Sequence, residues 1–327
     1  MRRIAWILLL AACAAPQASV VQKQRGLSYA AANPRLGTYG TDASAASLKN
    51  ARDLGVDWIS VMPFGFHRGE EGLRTGGWEN DDAVKATIAQ AHALGMRVLL
   101  KPHVWLRNRP LDVDDYEHFI VRVAEVARDA NADALCIGNE LKLGPQDDAR
   151  WRAIIARVRE TYRGPITYGA NFDEIENVPF WDAVDWIGVS GYFPLVDAPS
   201  PDRESLVRAW QPIAARLEAL SVKYRKPVLF TEIGYRSADG AAWKQWELPR
   251  DARLNLDVQR VAYEAFFETM WPRPWVLGAY PWKWFSYPNH SGPTSNDYEF
   301  ENKPAADVIR RHYTSAATSA SSSSTRR

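Results

Sequence analysis

The chain has 327 residues, of which 46% are apolar and 24% charged, and its formal net charge is +1. That length suits one large core or two modest ones, and the composition is that of a soluble globular protein. The balanced charge removes the electrostatic case for nucleic-acid binding, which rests on a clearly basic surface.

In chain order, residues 1–12 read as an export signal: Arg2 and Arg3 precede a short apolar run over 4–10. The run is far shorter than the ~20 residues of a membrane-spanning helix. The segment Leu10-Ala11-Ala12-Cys13 resembles the processing box of bacterial lipoproteins. That resemblance implies cleavage before Cys13 and a lipid anchor on it. With Ala14 rather than Asp next, it implies an outer-membrane address in a Gram-negative cell. An ordinary secreted protein with a chance cysteine is the alternative. Residues 13–23 would then be a tether. The sequence has two cysteines. With Cys13 lipidated, Cys136 is left as a lone buried thiol. A disulfide between them requires an oxidising compartment and a chain end held in place. No Cys/His cluster has metal-ligand spacing, so neither metal nor cofactor is expected.

Beyond the tether, apolar runs recur at 26–30, 56–63, 97–102, 134–138, 165–170, 186–191, 227–232 and 276–282. Amphipathic helical patterns separate most of them, at 42–54, 81–94, 113–130, 148–161, 203–221 and 255–269. Thr41 or Asp42 can cap the first helix, and Gly55 and Gly95 close the first two. A short, weakly patterned helix is expected near 173–183 and a last helix over 304–312. The Ser/Thr/Ala-rich tail 314–327 reads as disordered. No long linker interrupts 24–313, which reads as one domain.

Eight strands alternating with helices predict a parallel sheet, and the simplest closure is a single-domain (β/α)8 barrel. An open doubly wound sheet is the competitor. It normally carries a glycine-rich nucleotide turn, which RGLSYAAANPRLG lacks. In a barrel the chemistry gathers at the C-terminal strand ends, and here those ends are polar. Strand 3 ends at His103, strand 4 at Asn139 and Glu140, strand 5 at Asn171 and strand 6 at Tyr192. Strand 7 ends at Glu232, and strand 8 at Trp282, Lys283 and Trp284.

An apolar run such as ALCIGNELKLG ends on groups that are costly to bury unless something meets them. One strand-end Glu is commonly an ion-pair partner or helix cap. Two of them, with polar residues at four other ends, suit glycoside hydrolysis. One carboxyl, its pKa raised, protonates the leaving oxygen, and the other stays ionised and attacks the sugar carbon. Tyr192 is placed to donate to the attacking group.

On IGNEL (137–141), FTEIGYRS (230–237), KPHVW (101–105), WKWF (282–285) and ENKPAADVI (301–309), the chain resembles the retaining glycosidases built on (β/α)8 barrels. Within that clan it most resembles glycoside hydrolase family 113, whose characterised activity is endo-β-1,4-mannanase. The resemblance covers most of 25–312. It implies Glu140 as acid/base, Glu232 as nucleophile, and Asn139 as partner of the 2-hydroxyl of the sugar beside the cleaved bond. It implies a β-linked polysaccharide or oligosaccharide as substrate and a platform under that sugar at Trp284, with core filling the alternative for Trp284 and for Trp282. His103 and Lys101 share a strand face at period 2 and can line the sugar site, unless Lys101 simply pairs with a barrel carboxylate. Asn171 belongs to the group that would distinguish mannose from glucose. Loop 64–81 and the loop after strand 3, with Trp105 and Arg107, would build the cleft walls, loop 285–300 would close the other side, and WKQWELP (243–249), after the nucleophile strand, would bear on chain binding. Trp78 and Trp105 are further sugar platforms or surface packing. Other β-linked glycans and a non-catalytic glycan-binding barrel remain open readings.

Overall fold

The computed structural model describes residues 23–324, except 34, 68, 70, 71, 107–109 and 291. The segment read as an export signal, Cys13 and Arg107 lie outside the described residues.

Eight parallel strands close a ring. The first, β1, has two segments, Gln24–Arg25 and Ser28–Ala30. Then follow β2 (Trp58–Val61), β3 (Arg97–Leu100), β4 (Ala134–Asn139), β5 (Ile166–Asn171), β6 (Trp186–Ser190), β7 (Val228–Ile233) and β8 (Val276–Pro281). Each pairs with the next. Closure rests on the broken first strand: Gln24–Arg25 pairs with β8, and Ser28–Ala30 pairs with β2. The predicted (β/α)8 barrel is therefore the observed fold.

Strand alternation explains the two cores. One face of each strand points into the barrel, where Trp58, Leu99, Ala134, Cys136, Leu229, Leu277 and Tyr280 pack together. The other face meets the helices, as Ile137, Phe230 and Val189 do. The helices are α1 (Asp42–Asp53), α2 (Asp81–Ala93), α3 (Val113–Asp129), α4 (Asp148–Thr161), α5 (Arg203–Tyr224), α6 (Leu256–Thr269) and α7 (Pro304–Ser324). Thr41, rather than Asp42, caps α1 by accepting from the Ser44 N–H, and Asn80, Asp112, Asp202 and Asn255 cap α2, α3, α5 and α6 in the same way. Gly55 (φ 87°) and Gly95 (φ 69°) take the left-handed conformation just past α1 and α2.

Three local features differ from the sequence reading. No helix joins β5 to β6. Residues 172–185 form successive turns, because Asp173, Asn177 and Pro179 break the pattern and Trp181 is pinned by its indole N–H to the Ile175 carbonyl (2.8 Å). The backbone of α7 runs to Ser324, past the 304–312 span and into the stretch read as a disordered tail; that stretch holds neither Gly nor Pro to stop it. Residues 64–67, 73–74 and 103–105, partly assigned to loops, form a small three-stranded sheet beside the barrel mouth.

Candidate active site

The two acidic strand ends do not reach the mouth by simple alternation. On β7, Leu229 and Thr231 belong to the inward face, so period 2 would turn Glu232 outward. The β6–β7 pairing slips here, from Val189↔Phe230 to Ser190↔Glu232, so two residues of β7 oppose one of β6. This bulge re-aims Glu232 into the barrel. The β4–β5 register slips likewise, from Cys136↔Thr167 to Asn139↔Gly169, and brings Asn139 inward. Gly169 gives it room: a Cβ there would stand 2.4 Å from Asn139 Oδ1. Glu140 follows at φ 53°, a left-handed conformation that costs a non-glycine residue energy and recurs at functional sites.

Glu232 is buried and multiply held. Its Oε1 accepts from Lys101 Nζ at 2.5 Å and from Asn139 Nδ2 at 3.5 Å, and His103 Nε2 lies 3.5 Å away. Its Oε2 accepts from the Tyr192 hydroxyl at 2.6 Å. Burial alone would raise its pKa. The Lys101 charge, His103 and the hydrogen bonds from Lys101 and Tyr192 outweigh that and hold the carboxyl below its ordinary value. His103 is itself pushed down to about 4, by burial and then by Lys101. It is therefore neutral at pH 7, and Lys101 is the principal cation facing Glu232.

Glu140 has the opposite setting. Its side chain is open to solvent across the cleft, yet protein crowds it on the other sides. That desolvation first, and then the negative charge of Glu232, push its carboxyl up to about 7, against a hydrogen bond from Ser190. Two carboxyl groups thus share one site with their proton affinities driven apart. Tyr192, raised well above the usual phenol range by burial and by Glu232, stays a hydrogen-bond donor.

Both carboxylates line one cleft of about 490 Å³, together with His103, Asn139, Asn171, Tyr192 and Trp282. All of these were expected from the sequence. Lys101 is near the site but not exposed to it: fully buried, it supports Glu232 from below and also donates to the Thr231 carbonyl at 3.1 Å. The alternative of a barrel ion pair thus describes Lys101, with Glu232 as its carboxylate.

Trp284 is a correction. Instead of forming a platform it is buried, donates its indole N–H to Ser47 Oγ at 2.9 Å and packs on Phe300. Its side chain points under the 285–300 loop, while Trp282, two residues earlier, faces the cleft and stacks with His103 (6.1 Å between centroids, 19° between planes). Trp105, 56% exposed, sits at the outer end of the small sheet and does not line this cleft.

The cleft also includes residues not named from the sequence: Phe64, Phe172, Asp173, Trp246 and Tyr298. Phe64 is brought there by its pairing with His103 in the small sheet. The others follow strand ends or sit in the flagged loops, so a full reading of every strand-end neighbour would have found Phe172 and Asp173.

The family model of Glycoside Hydrolase Family 113 matches residues 113–303. Comparison with curated proteins finds no match. Among solved structures, the chain is similar to the GH113 β-mannanase AaManA from Alicyclobacillus acidocaldarius in complex with ManMIm. The two are 27% identical over 90% of this chain and 98% of that one, with a TM-score of 0.77. A further GH113 β-1,4-mannanase structure matches at 27% identity and TM-score 0.77, over 90% and 99% of the two chains. A GH5_18 protein from Streptomyces cattleya in complex with GlcNAc shares the fold at 14% identity and TM-score 0.63, over 92% and 82%. With more than half its length matched by the family model and the same barrel in its solved relatives, the chain belongs to glycoside hydrolase family 113.

Proposed function

We propose that the protein cleaves internal β-1,4-mannosidic linkages in mannan or manno-oligosaccharides with retention of anomeric configuration. The observation that carries this reading is the pair of carboxyl groups in one cleft, with Glu232 held below the ordinary carboxyl value and Glu140 pushed up to about 7. The likeness to two solved β-mannanases supports the choice of sugar.

The chemistry follows from the two settings. A Glu232 oxygen attacks the anomeric carbon while the Glu140 proton passes to the glycosidic oxygen, so the leaving sugar departs as an alcohol. A glycosyl ester on Glu232 results. Glu140, now a carboxylate, takes a proton from water as that water attacks the same carbon, which frees Glu232 and restores Glu140. Lys101 and Tyr192 each hold one oxygen of Glu232 and stabilise it as the leaving carboxylate of the second step. Asn139 faces the same sugar, and Trp282 offers a ring to its apolar C–H face.

Proton NMR of fresh digests of β-1,4-mannan tests this. The expected result is several oligosaccharide sizes from the first minutes, with β-anomers formed first. Release of mannose alone from chain ends, initial α-anomers, or hydrolysis of β-glucan in preference to mannan would overturn it. From the sequence alone we also propose export and lipid attachment at Cys13. Cys13→Ser should move the protein from the membrane to the soluble fraction, and an unchanged distribution would refute the anchor.

A further inference from the structure

The barrel order sets the direction of the cleft. In a ring of eight strands, β5 stands opposite β1. Trp282 follows β8 and Phe64 follows β2, so these two flank the β1 side. Phe172 follows β5 on the opposite side, and the β7 loop reaches over β6 to place Trp246 against it, 5.5 Å between centroids with 33° between planes. The cleft therefore runs along the β1–β5 diameter, with Glu140 (after β4) on one bank and Glu232 (β7) on the other. β4 lies beside β5, so Glu140 is displaced toward the Phe172–Trp246 end relative to Glu232. The group that protonates the departing oxygen thus stands on the side of Trp246, and the group that attacks the anomeric carbon stands nearer Trp282.

Trp246 is held at the rim by a built support. Its neighbour Gln245 is buried, accepts from the Arg236 N–H at 2.8 Å and donates to the Gly234 carbonyl at 2.6 Å, which ties the loop to the backbone just beyond Glu232. The ring stands on Phe172, which packs on Phe193, which packs on the core Trp210. Yet Trp246 itself stays 49% exposed and lines the cleft beside Asp173. A large aromatic ring braced from beneath and left wet on one face is suited to the apolar face of a sugar, and a neighbouring carboxylate is suited to its hydroxyl groups.

We propose that Trp246, standing on Phe172, is the platform for the sugar on the leaving-group side of the scissile bond. This rests on the mannanase reading for the identity of that sugar, while the side assignment rests on the barrel geometry alone. The test compares two substrates of the purified full chain, mannotetraose and an aryl β-mannobioside whose leaving group is not a sugar. Trp246→Ala should lower kcat/KM for mannotetraose about tenfold or more and for the aryl substrate less than twofold, with Trp246→Phe recovering most of the loss. Equal losses on both substrates, or no loss on mannotetraose, would overturn it. Should the wild type ignore mannose chains and cleave another β-glycan, the mannan reading fails and the same comparison on that glycan's oligosaccharide and aryl glycoside decides the platform. Should it cleave neither, tryptophan fluorescence titration with mannotetraose decides: a ligand-induced change in wild type that is lost in Trp246→Phe supports the platform, and no difference between the two refutes it.

Discussion

Lys101 Nζ meets Glu232 Oε1 at 2.5 Å, with the Lys101 side chain wholly shielded from solvent. Removing the ammonium leaves a buried carboxylate whose first influence is burial, which raises its pKa. Lys101→Met should therefore shift the acid limb of the kcat/KM profile upward from its place below the ordinary carboxyl value of 4.5. An unpaired buried charge also costs about 3–5 kcal/mol. The sign of the stability effect follows from linkage. The folded pKa of Glu232 is depressed, so its contribution is complete above the unfolded value and is lost as pH falls through the folded one. The wild type should thus lose this contribution as pH falls below the ordinary carboxyl value, and Lys101→Met should be less stable already at pH 7. An acid limb that stays in place in Lys101→Met would refute the account.

Replacing the other partner gives a related expectation. Glu232→Ala should abolish turnover and also leave the Lys101 charge buried without its carboxylate, at a cost of about 3–5 kcal/mol. Glu232→Gln keeps an acceptor for Lys101 and should be the more stable of the two, equally inactive. Thermal melts at pH 7 and assays on mannotetraose measure both, and substantial turnover by either variant would refute the nucleophile.

Glu140 sets the alkaline limb. Its carboxyl is pushed up to about 7, chiefly by desolvation and then by Glu232, so the proton donor is lost as pH rises through that value. With a sugar leaving group, kcat/KM should fall above pH 7. Glu140→Gln should lose about 10²- to 10⁴-fold on that substrate, and far less on an aryl glycoside that departs unprotonated. Linkage gives the stability sign: a carboxyl raised in the folded state favours the fold while protonated, and that contribution disappears as pH passes the folded value. Glu140→Gln should therefore be more stable than wild type above pH 7, and equal stability there would contradict the raised pKa.

The barrel was legible because its two periods are loud. Apolar runs such as 97–102 and 227–232 alternate with amphipathic stretches such as 113–130, and Gly55 and Gly95 mark where helices stop. The polar strand ends Asn139, Asn171, Tyr192 and Glu232 pointed to the mouth for the same reason. What period 2 conceals is a change of phase. It would direct Glu232 outward, and only the slipped pairing beside Ser190 turns it in, a feature with no residue signature of its own. Trp282 and Trp284 show the same blindness. Both stand at the end of strand 8 in the sequence, but β8 ends at Pro281 and the chain turns after it, so one ring enters the cleft and the other the core. Trp246 was only a letter in a loop, since its bracing by Phe172 joins residues far apart in the chain.

Arg236 organises the walls on both sides of β7's exit. Its buried guanidinium donates to the carbonyls of Leu248 (3.1 Å), Pro249 (3.0 Å), Arg250 (3.4 Å) and Asn296 (3.4 Å). One side chain thus clamps the loop that bears Trp246 to the loop that bears Tyr298. Arg236→Met would strand these carbonyls, at about 1–3 kcal/mol for each one that water cannot reach. The expected result is a KM for mannotetraose raised more than kcat is lowered, with faster proteolysis within 243–250 and 292–300. Unchanged proteolysis and kinetics would show that the loops hold without the clamp.

The two tryptophans after β8 can be separated by experiment because their surroundings differ. Trp284 is buried against Phe300 with its indole N–H on Ser47 Oγ, and Ser47 in turn donates to the Phe285 carbonyl at 2.6 Å. Trp284→Phe removes that N–H and part of the packed volume, so it should lower stability by about 1–3 kcal/mol and leave kcat/KM within about twofold, since no atom of the ring lines the cleft. Trp282 is partly exposed, stacks with His103 and faces both carboxylates. Trp282→Ala should do the reverse, leaving the melting temperature nearly unchanged while kcat/KM falls about tenfold or more, which corresponds to a loss of about 1.4 kcal/mol or more of ring contact. If Trp284→Phe instead lost activity without losing stability, the platform would belong to Trp284 after all, and the direction assigned to the cleft would have to be redrawn from that residue.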